Sequence, residues 1–193
     1  MITKSVLVVV ALKEEAELLL HKYNLDVIYT GVGKVNATYA LLKELSNRKS
    51  VNKLPDLVLN FGTAGSHYLK KGNLFVVNQF IQRDMDVRPL GFKLGVTPFE
   101  TYPELLSFKY NDIFLTDLIC ATGDNFETQS TNLKYDLVDM ESYALAKVCY
   151  FEKIKFLSVK YVSDNANDSA ADDWKSNVAL GEELFLQWYK NHF

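Results

Sequence analysis

The sequence predicts an α/β fold, a mostly parallel or mixed sheet covered by helices. Three observations carry this. Continuous apolar runs rich in β-branched residues read as strands buried on both faces. Segments with helical apolar spacing alternate with them. Glycines punctuate the ends of several runs.

In chain order, Val6 to Leu12 is the first buried strand, and Glu14 to Lys22 an amphipathic helix with Ala16, Leu19 and Leu20 on its apolar side. Val27 to Thr30 is a short strand ending in Gly31-Val32-Gly33, and Asn36 to Leu45 the next helix. Leu57 to Phe61 is a buried strand ending in the glycine turn F-G-T-A-G. Leu74 to Gln82 and Ile113 to Ala121 read as further strands, the second ending near Gly123-Asp124. Glu141 opens an apolar helix, Lys155 to Val162 is a strand, and Trp174 to Tyr189 is a terminal helix. Arg83 to Tyr110 lacks a period and holds three of the four prolines, so an extended loop or irregular hairpin is expected.

The chain has 193 residues, which favours one domain over residues 1–193. Its net charge of -3, with lysines and arginines scattered, gives no electrostatic case for nucleic acid. No apolar stretch is long enough to span a membrane. The opening M-I-T-K-S-V-L-V-V-V-A-L is followed at once by K-E-E, unlike a signal peptide. Cys120 and Cys149 sit inside apolar runs and read as buried, reduced thiols, so the cytoplasm is the expected location. His21, His67 and His192 form no cluster with ligand spacing, so no metal or organic cofactor is expected.

Two acids stand out. Glu141 opens a helix in V-D-M-E-S-Y-A-L-A, and Asp164 ends the run I-K-F-L-S-V-K-Y-V-S-D. Acids at a strand end and a helix start suit a small polar ligand at one edge of a sheet. Either also has a plainer reading: a helix cap or turn residue for Asp164, and a first-turn glutamate complementing the helix dipole for Glu141. G-V-G-K-V-N completes neither a dinucleotide fingerprint nor a phosphate loop.

A set of segments adds to this reading: A-L-K-E-E-A, G-V-G-K-V-N-A, N-F-G-T-A-G, R-D-M-D-V-R-P-L-G-F, T-G-D-N-F, V-D-M-E-S-Y-A-L-A and V-S-D-N-A. In these the chain resembles the nucleoside phosphorylase/nucleosidase superfamily, most of all its methylthioadenosine/S-adenosylhomocysteine nucleosidases. The matches run in the family's order and span nearly the whole chain, from Ala11 to Asp164. The resemblance implies a three-layer α/β/α sandwich with a mixed, partly barrelled central sheet, usually as a homodimer. It also implies cleavage of the N-glycosidic bond of a purine nucleoside, adenine-type and 5′-substituted in those nucleosidases.

The resemblance assigns roles residue by residue. Asp164, beside Ser163, matches the general acid that protonates N7 of the departing purine, an aid of about 10²–10⁴-fold. Glu15 matches the glutamate that orients and deprotonates the attacking water, and Thr63 a small hydroxyl residue beside that water. Glu141 matches the acceptor of ribose hydroxyls, and Met140 the residue packed on the ribose. Phe126 matches the aromatic near the base. Lys160 stands where an arginine close to the water is usual; the charge is kept and a bidentate fork lost. The chain also departs from the family's pattern at Ser66, at Glu127 and in a short stretch between Phe99 and Ile113. Val87, Leu90, Phe92 and Leu94 offer apolar walls to the 5′ end, or to a partner subunit's site.

A phosphorylase needs arginine and glycine-turn donors for a phosphate dianion. Here Ala11-Leu12-Lys13-Glu14-Glu15 and Leu59-Asn60-Phe61 occupy those places, and a carboxylate suits water better. Hydrolysis is therefore favoured. The alternatives are a phosphorylase, a nucleosidase for another modified nucleoside, and a nucleoside-binding protein without turnover.

Overall fold

The computed structural model describes residues 5–110, 117–127, 133–167 and 169–193, with the side chains of 19–21 set aside. The predicted helix positions Leu19 and Leu20 therefore lie outside the described side chains, as does His21. The first part of the predicted Ile113 strand lies outside the described residues altogether.

Among the described residues, nine strands form one mixed sheet. β1 (Val6–Val10) runs parallel to both β2 (Val27–Tyr29) and β3 (Leu57–Gly65). β3 also runs parallel to the long β9 (Lys155–Asp164) and meets β8 (Leu137–Asp139) at Gly65↔Val138. β4 (Leu74–Val77) is antiparallel to β9. β5 (Gln79–Gln82) is parallel to β7 (Ile119–Thr122) and antiparallel to β6 (Leu106–Ser107), and β7 is parallel to β8. Since β4 and β5 are separated by Asn78 alone, the path β3-β9-β4-β5-β7-β8-β3 closes on itself. The sheet is thus partly barrelled, with β1 and β2 as an open wing.

The predicted single strand Leu74 to Gln82 is broken at Asn78, whose side-chain amide donates to the Phe108 carbonyl oxygen at 2.7 Å. Phe108 N–H donates back to the Asn78 carbonyl at 3.0 Å. This local pairing takes Asn78 out of the ladder, and the chain passes from one side of the barrel to the other.

Two of the predicted helices follow the sequence pattern with changed ends. α3 spans Lys34–Ser50 and α4 Ser142–Glu152, with Glu141 as the residue before its first turn. The predicted Glu14 to Lys22 helix is two pieces, α1 (Lys13–Ala16) and α2 (Leu18–Tyr23). At the break, the Tyr29 hydroxyl donates to the Ala16 carbonyl at 2.8 Å. The predicted terminal helix is also two, α5 (Ala170–Asn177) and α6 (Gly181–His192). Asn177 turns its amide onto the Ser163 carbonyl at 3.1 Å, tying the end of α5 to β9. The irregular stretch from Arg83 contains a 3-10 turn at Arg88–Leu90 and β6.

Helices cover both faces of the sheet, giving three layers. Ala37, Leu41 and Leu45 of α3 and Leu145 and Cys149 of α4 pack with Leu7, Val9 and Val58 on one face. Phe185 and Leu186 of α6 and Ala16 of α1 pack with Val8, Leu59 and Val159 on the other. Alternate residues of β1 enter each layer, which explains why its sequence is apolar throughout. Cys120 and Cys149 are free and buried. Among the described residues, no helix is long and apolar enough to cross a membrane.

Candidate active site

The carboxyl ends of β1, β3 and β9 open on a common cavity of about 320 Å³. Parallel pairing puts those three ends side by side, the position where open α/β sheets take ligands. Glu15, Thr63, Phe126, Met140, Glu141 and Asp164 all line this cavity. Ser163 and Lys160 do not; each stands behind a residue that does.

Asp164 ends β9 and is 3% exposed. Its Oδ1 accepts the Ala166 N–H at 2.9 Å, and its Oδ2 accepts the Ser163 hydroxyl at 2.9 Å. Burial raises its pKa, opposed by these two donors. The result is a carboxyl held in place and biased toward carrying a proton. Gly65 is what lets it sit there: a Cβ at that position would fall 2.6 Å from Asp164 Oδ1. The predicted turn F-G-T-A-G is accordingly no turn, because β3 continues through Gly65. These glycines serve close approach to carboxylates on neighbouring elements.

Glu15 lies in the first turn after β1 and is 4% exposed. Its Oε1 accepts both the N–H and the hydroxyl of Thr63, at 2.7 and 2.8 Å. Its Oε2 faces Leu12 N–H at 3.2 Å. Trp174 Nε1–H donates to Thr63 Oγ1 at 2.9 Å, which leaves the hydroxyl proton for Glu15. Tryptophan, threonine and glutamate therefore form a chain of oriented hydrogen bonds into the cavity. The sequence reading missed Trp174, placing it only as a helix start; its signal is a 111-residue separation from Thr63 that no local pattern contains.

Glu141 precedes α4 and accepts the Gly33 N–H at 2.8 Å. Asp139, two residues earlier, accepts from Thr122 Oγ1 at 2.6 Å and Ser142 N–H at 3.0 Å, and pairs with Lys160 at 2.8 Å. Burial disfavours charge on Asp139, but Lys160 together with the Ser142 and Thr122 donors outweighs it and holds the carboxyl below its ordinary range. Lys160 is likewise raised by Asp139 against its own burial. The lysine predicted beside the water is thus committed to Asp139, and Gly62 lies next to both it and Glu15. A Cβ at Gly62 would fall 3.2 Å from Glu15 Oε1 and 3.5 Å from Lys160 Nζ. Val87, Leu90, Phe92 and Leu94 do not line this cavity, and Leu90 is largely exposed.

Burial pushes the Glu141 carboxyl from 4.5 up to about 8, with Asp139 adding to the rise and Lys160 and the Gly33 N–H opposing it. Between those values the folded protein holds a proton that the unfolded chain has released. Stability therefore falls as pH rises through this window and levels off above about 8. Glu141→Gln is expected to flatten that fall, at up to about 1.4 kcal/mol per pH unit. Urea midpoints of both proteins across the window check it; parallel curves would show that Glu141 does not carry the effect.

Comparison with known proteins agrees with this architecture. The family model of the phosphorylase superfamily matches residues 16–187. A 5′-methylthioadenosine/S-adenosylhomocysteine nucleosidase of Buchnera aphidicola subsp. Schizaphis graminum is 31% identical over 183 residues, covering 82% of this chain and 74% of the relative. The protein of the same name from Haemophilus influenzae strain PittEE is 30% identical, covering 79% and 73%. Among solved structures, the Helicobacter pylori 5′-methylthioadenosine/S-adenosylhomocysteine nucleosidase with butyl-thio-DADMe-Immucillin-A superposes with a TM-score of 0.82 at 20% identity, covering 100% of both chains. Futalosine hydrolase of Helicobacter pylori superposes with a TM-score of 0.80 at 20% identity, covering 97% and 98%. With a family model spanning residues 16–187 and a fold of the same layers, this chain belongs to the phosphorylase superfamily.

Proposed function

We propose that the chain is a purine nucleosidase, hydrolysing the N-glycosidic bond to free base and a ribose derivative. The observation that carries this is the convergence of Asp164, Glu15 and Glu141 on one cavity. Asp164, biased toward its protonated form, donates to N7 of the departing purine. As the glycosidic bond lengthens, the ribosyl group takes on oxocarbenium character. Glu15, aligned by Thr63, takes a proton from a water as the water oxygen bonds to the anomeric carbon. Glu141 accepts ribose hydroxyls, Met140 packs on the sugar and Phe126 on the base. Ser163 orients the Asp164 carboxyl, and Lys160 balances the acidic cluster through Asp139. The names of the relatives favour a 5′-thio-substituted adenosine as the substrate class.

The water side of the cavity favours hydrolysis over phosphorolysis, since Glu15 repels a phosphate dianion. Chromatography of free base released from a panel of 5′-substituted and unmodified purine nucleosides tests this. Release is expected in phosphate-free buffer; an absolute need for phosphate would overturn it.

The reading extends to a single nucleosidase domain acting as a homodimer in the cytoplasm. Two free, buried thiols suit a reducing compartment, and recovery from a secreted fraction would count against that location. An apolar groove of about 770 Å³ runs between α3 and α4, with Val35, Tyr39 and Phe151 exposed along it. A second copy covering this face would bury them. Sedimentation is expected to give twice the 22.0 kDa chain mass, and Tyr39→Glu to shift it to the monomer; a monomer in the unaltered protein would refute the dimer.

A further inference from the structure

Trp174 takes no part in the scheme above, yet it meets the water side of the site. It lies on α5 and lines the cavity, half-buried. The helix that carries it is anchored. Ala170, at the start of α5, is fully buried, and Lys71 pairs with Asp173 at 3.1 Å. Asn177, three residues beyond Trp174 and so on the same helix face, donates to the Ser163 carbonyl at 3.1 Å. From this fixed support the indole Nε1–H reaches Thr63 Oγ1 at 2.9 Å.

The direction of that bond matters. An indole N–H only donates, whereas a threonine hydroxyl has one proton and two lone pairs. With the indole on one lone pair, the Thr63 proton is left for Glu15 Oε1, 2.8 Å away. Thr63 N–H donates to the same oxygen at 2.7 Å. Without the indole N–H, Thr63 Oγ1 becomes an open acceptor. The hydroxyl is then free to turn to another staggered position, and a water in the cavity can point its proton at Thr63 instead of at Glu15. A threonine hydroxyl is no general base, so a water held that way does not attack. An apolar wall would be served as well by phenylalanine; the N–H is what singles out tryptophan here.

We propose that Trp174 is a positioning residue: acting through Thr63, it sets the direction of the hydrogen-bond chain so that the attacking water faces Glu15. This rests on the nucleosidase reading, with Glu15 on the water side.

Steady-state rates of Trp174→Phe, Thr63→Val and the double variant test it, beside the unaltered protein. The substrates are 5′-methylthioadenosine and 4-nitrophenyl riboside. Trp174→Phe keeps an aromatic wall and drops the N–H. Its kcat is expected to fall at least about fivefold on both substrates, while KM changes less than about threefold. In the Thr63→Val background the same change is expected to lower kcat less than about twofold further, because the group through which Trp174 acts is gone. Equal falls in the two backgrounds, a change confined to KM, a fall on the purine nucleoside alone, or no change at all would each overturn the inference and leave Trp174 a wall. Circular dichroism establishes that the variants are folded. Where Trp174→Phe is not, a benzothiophene analogue incorporated in place of the Trp174 indole keeps the bicyclic shape and loses the N–H. The same fall in kcat is expected of it, and full kcat is equally fatal. Turnover by the unaltered protein tells the two readings apart. Turnover with additive falls would sink the positioning role alone, and no free base from any nucleoside of the panel would sink the nucleosidase reading and this inference with it.

Discussion

Asp164→Asn is expected to lower purine nucleoside hydrolysis by about 10²–10⁴-fold, the range of a lost general acid. The substitution keeps the shape of the side chain. Ser163 Oγ and Ala166 N–H donate to the carboxylate at 2.9 Å, and an asparagine oxygen can still accept one of them. Gly65 leaves no more room than the native side chain fills, so an isostere is the appropriate change. Nucleoside affinity should therefore stay within about tenfold while kcat collapses. The cause can be isolated with a leaving group that needs no proton. The 4-nitrophenolate of a 4-nitrophenyl riboside departs as a stable anion, so Asp164→Asn should hydrolyse this substrate within about tenfold of the unaltered protein. A nitrophenyl substrate lost as completely as the purine nucleoside would mean that Asp164 is not the acid.

Glu15→Gln is expected to remove at least about 10²-fold of activity on both substrates, because the nucleophile is needed whichever group departs. Thr63 presents an N–H and a hydroxyl to Glu15 Oε1, and Leu12 presents an N–H to Oε2. A carboxylate accepts from all three. A glutamine satisfies one side and turns its own N–H groups on the other, so it loses basicity and alignment together. Steady-state rates on the nitrophenyl riboside separate the two variants: rescue is expected for Asp164→Asn and absent for Glu15→Gln. Rescue of Glu15→Gln would remove it from the water side of the cavity.

Much of the framework was legible along the chain. β1 is apolar at every position, and β3 and β9 are largely so, because both sheet faces are covered, and that needs no long-range information. Asp164 and Glu141 stood out as acids at the edges of apolar runs. Other features were legible only through resemblance: Glu15, in K-E-E, looks like a solvated helix start and is in fact buried under Thr63. The three-residue β8 escaped notice because its stretch is too short to show a period. Helix ends were misjudged where side chains intervene, as Tyr29 does at Ala16 and Asn177 at the Ser163 carbonyl.

By itself, then, the sequence determined which segments become strands or helices and which acids stand at their ends, since periodicity and residue type act over a few neighbours. Tertiary structure alone decided the rest. Asn78 closes the barrel by bonding Phe108 across 30 residues, Lys160 is drawn to Asp139, Trp174 reaches Thr63, and Arg83 meets Glu127 beside a bare Gly123. Each is a pairing of polar groups in a dry interior, where an unmatched partner is heavily penalised. Such matches are set by which elements pack together, and no local pattern encodes them.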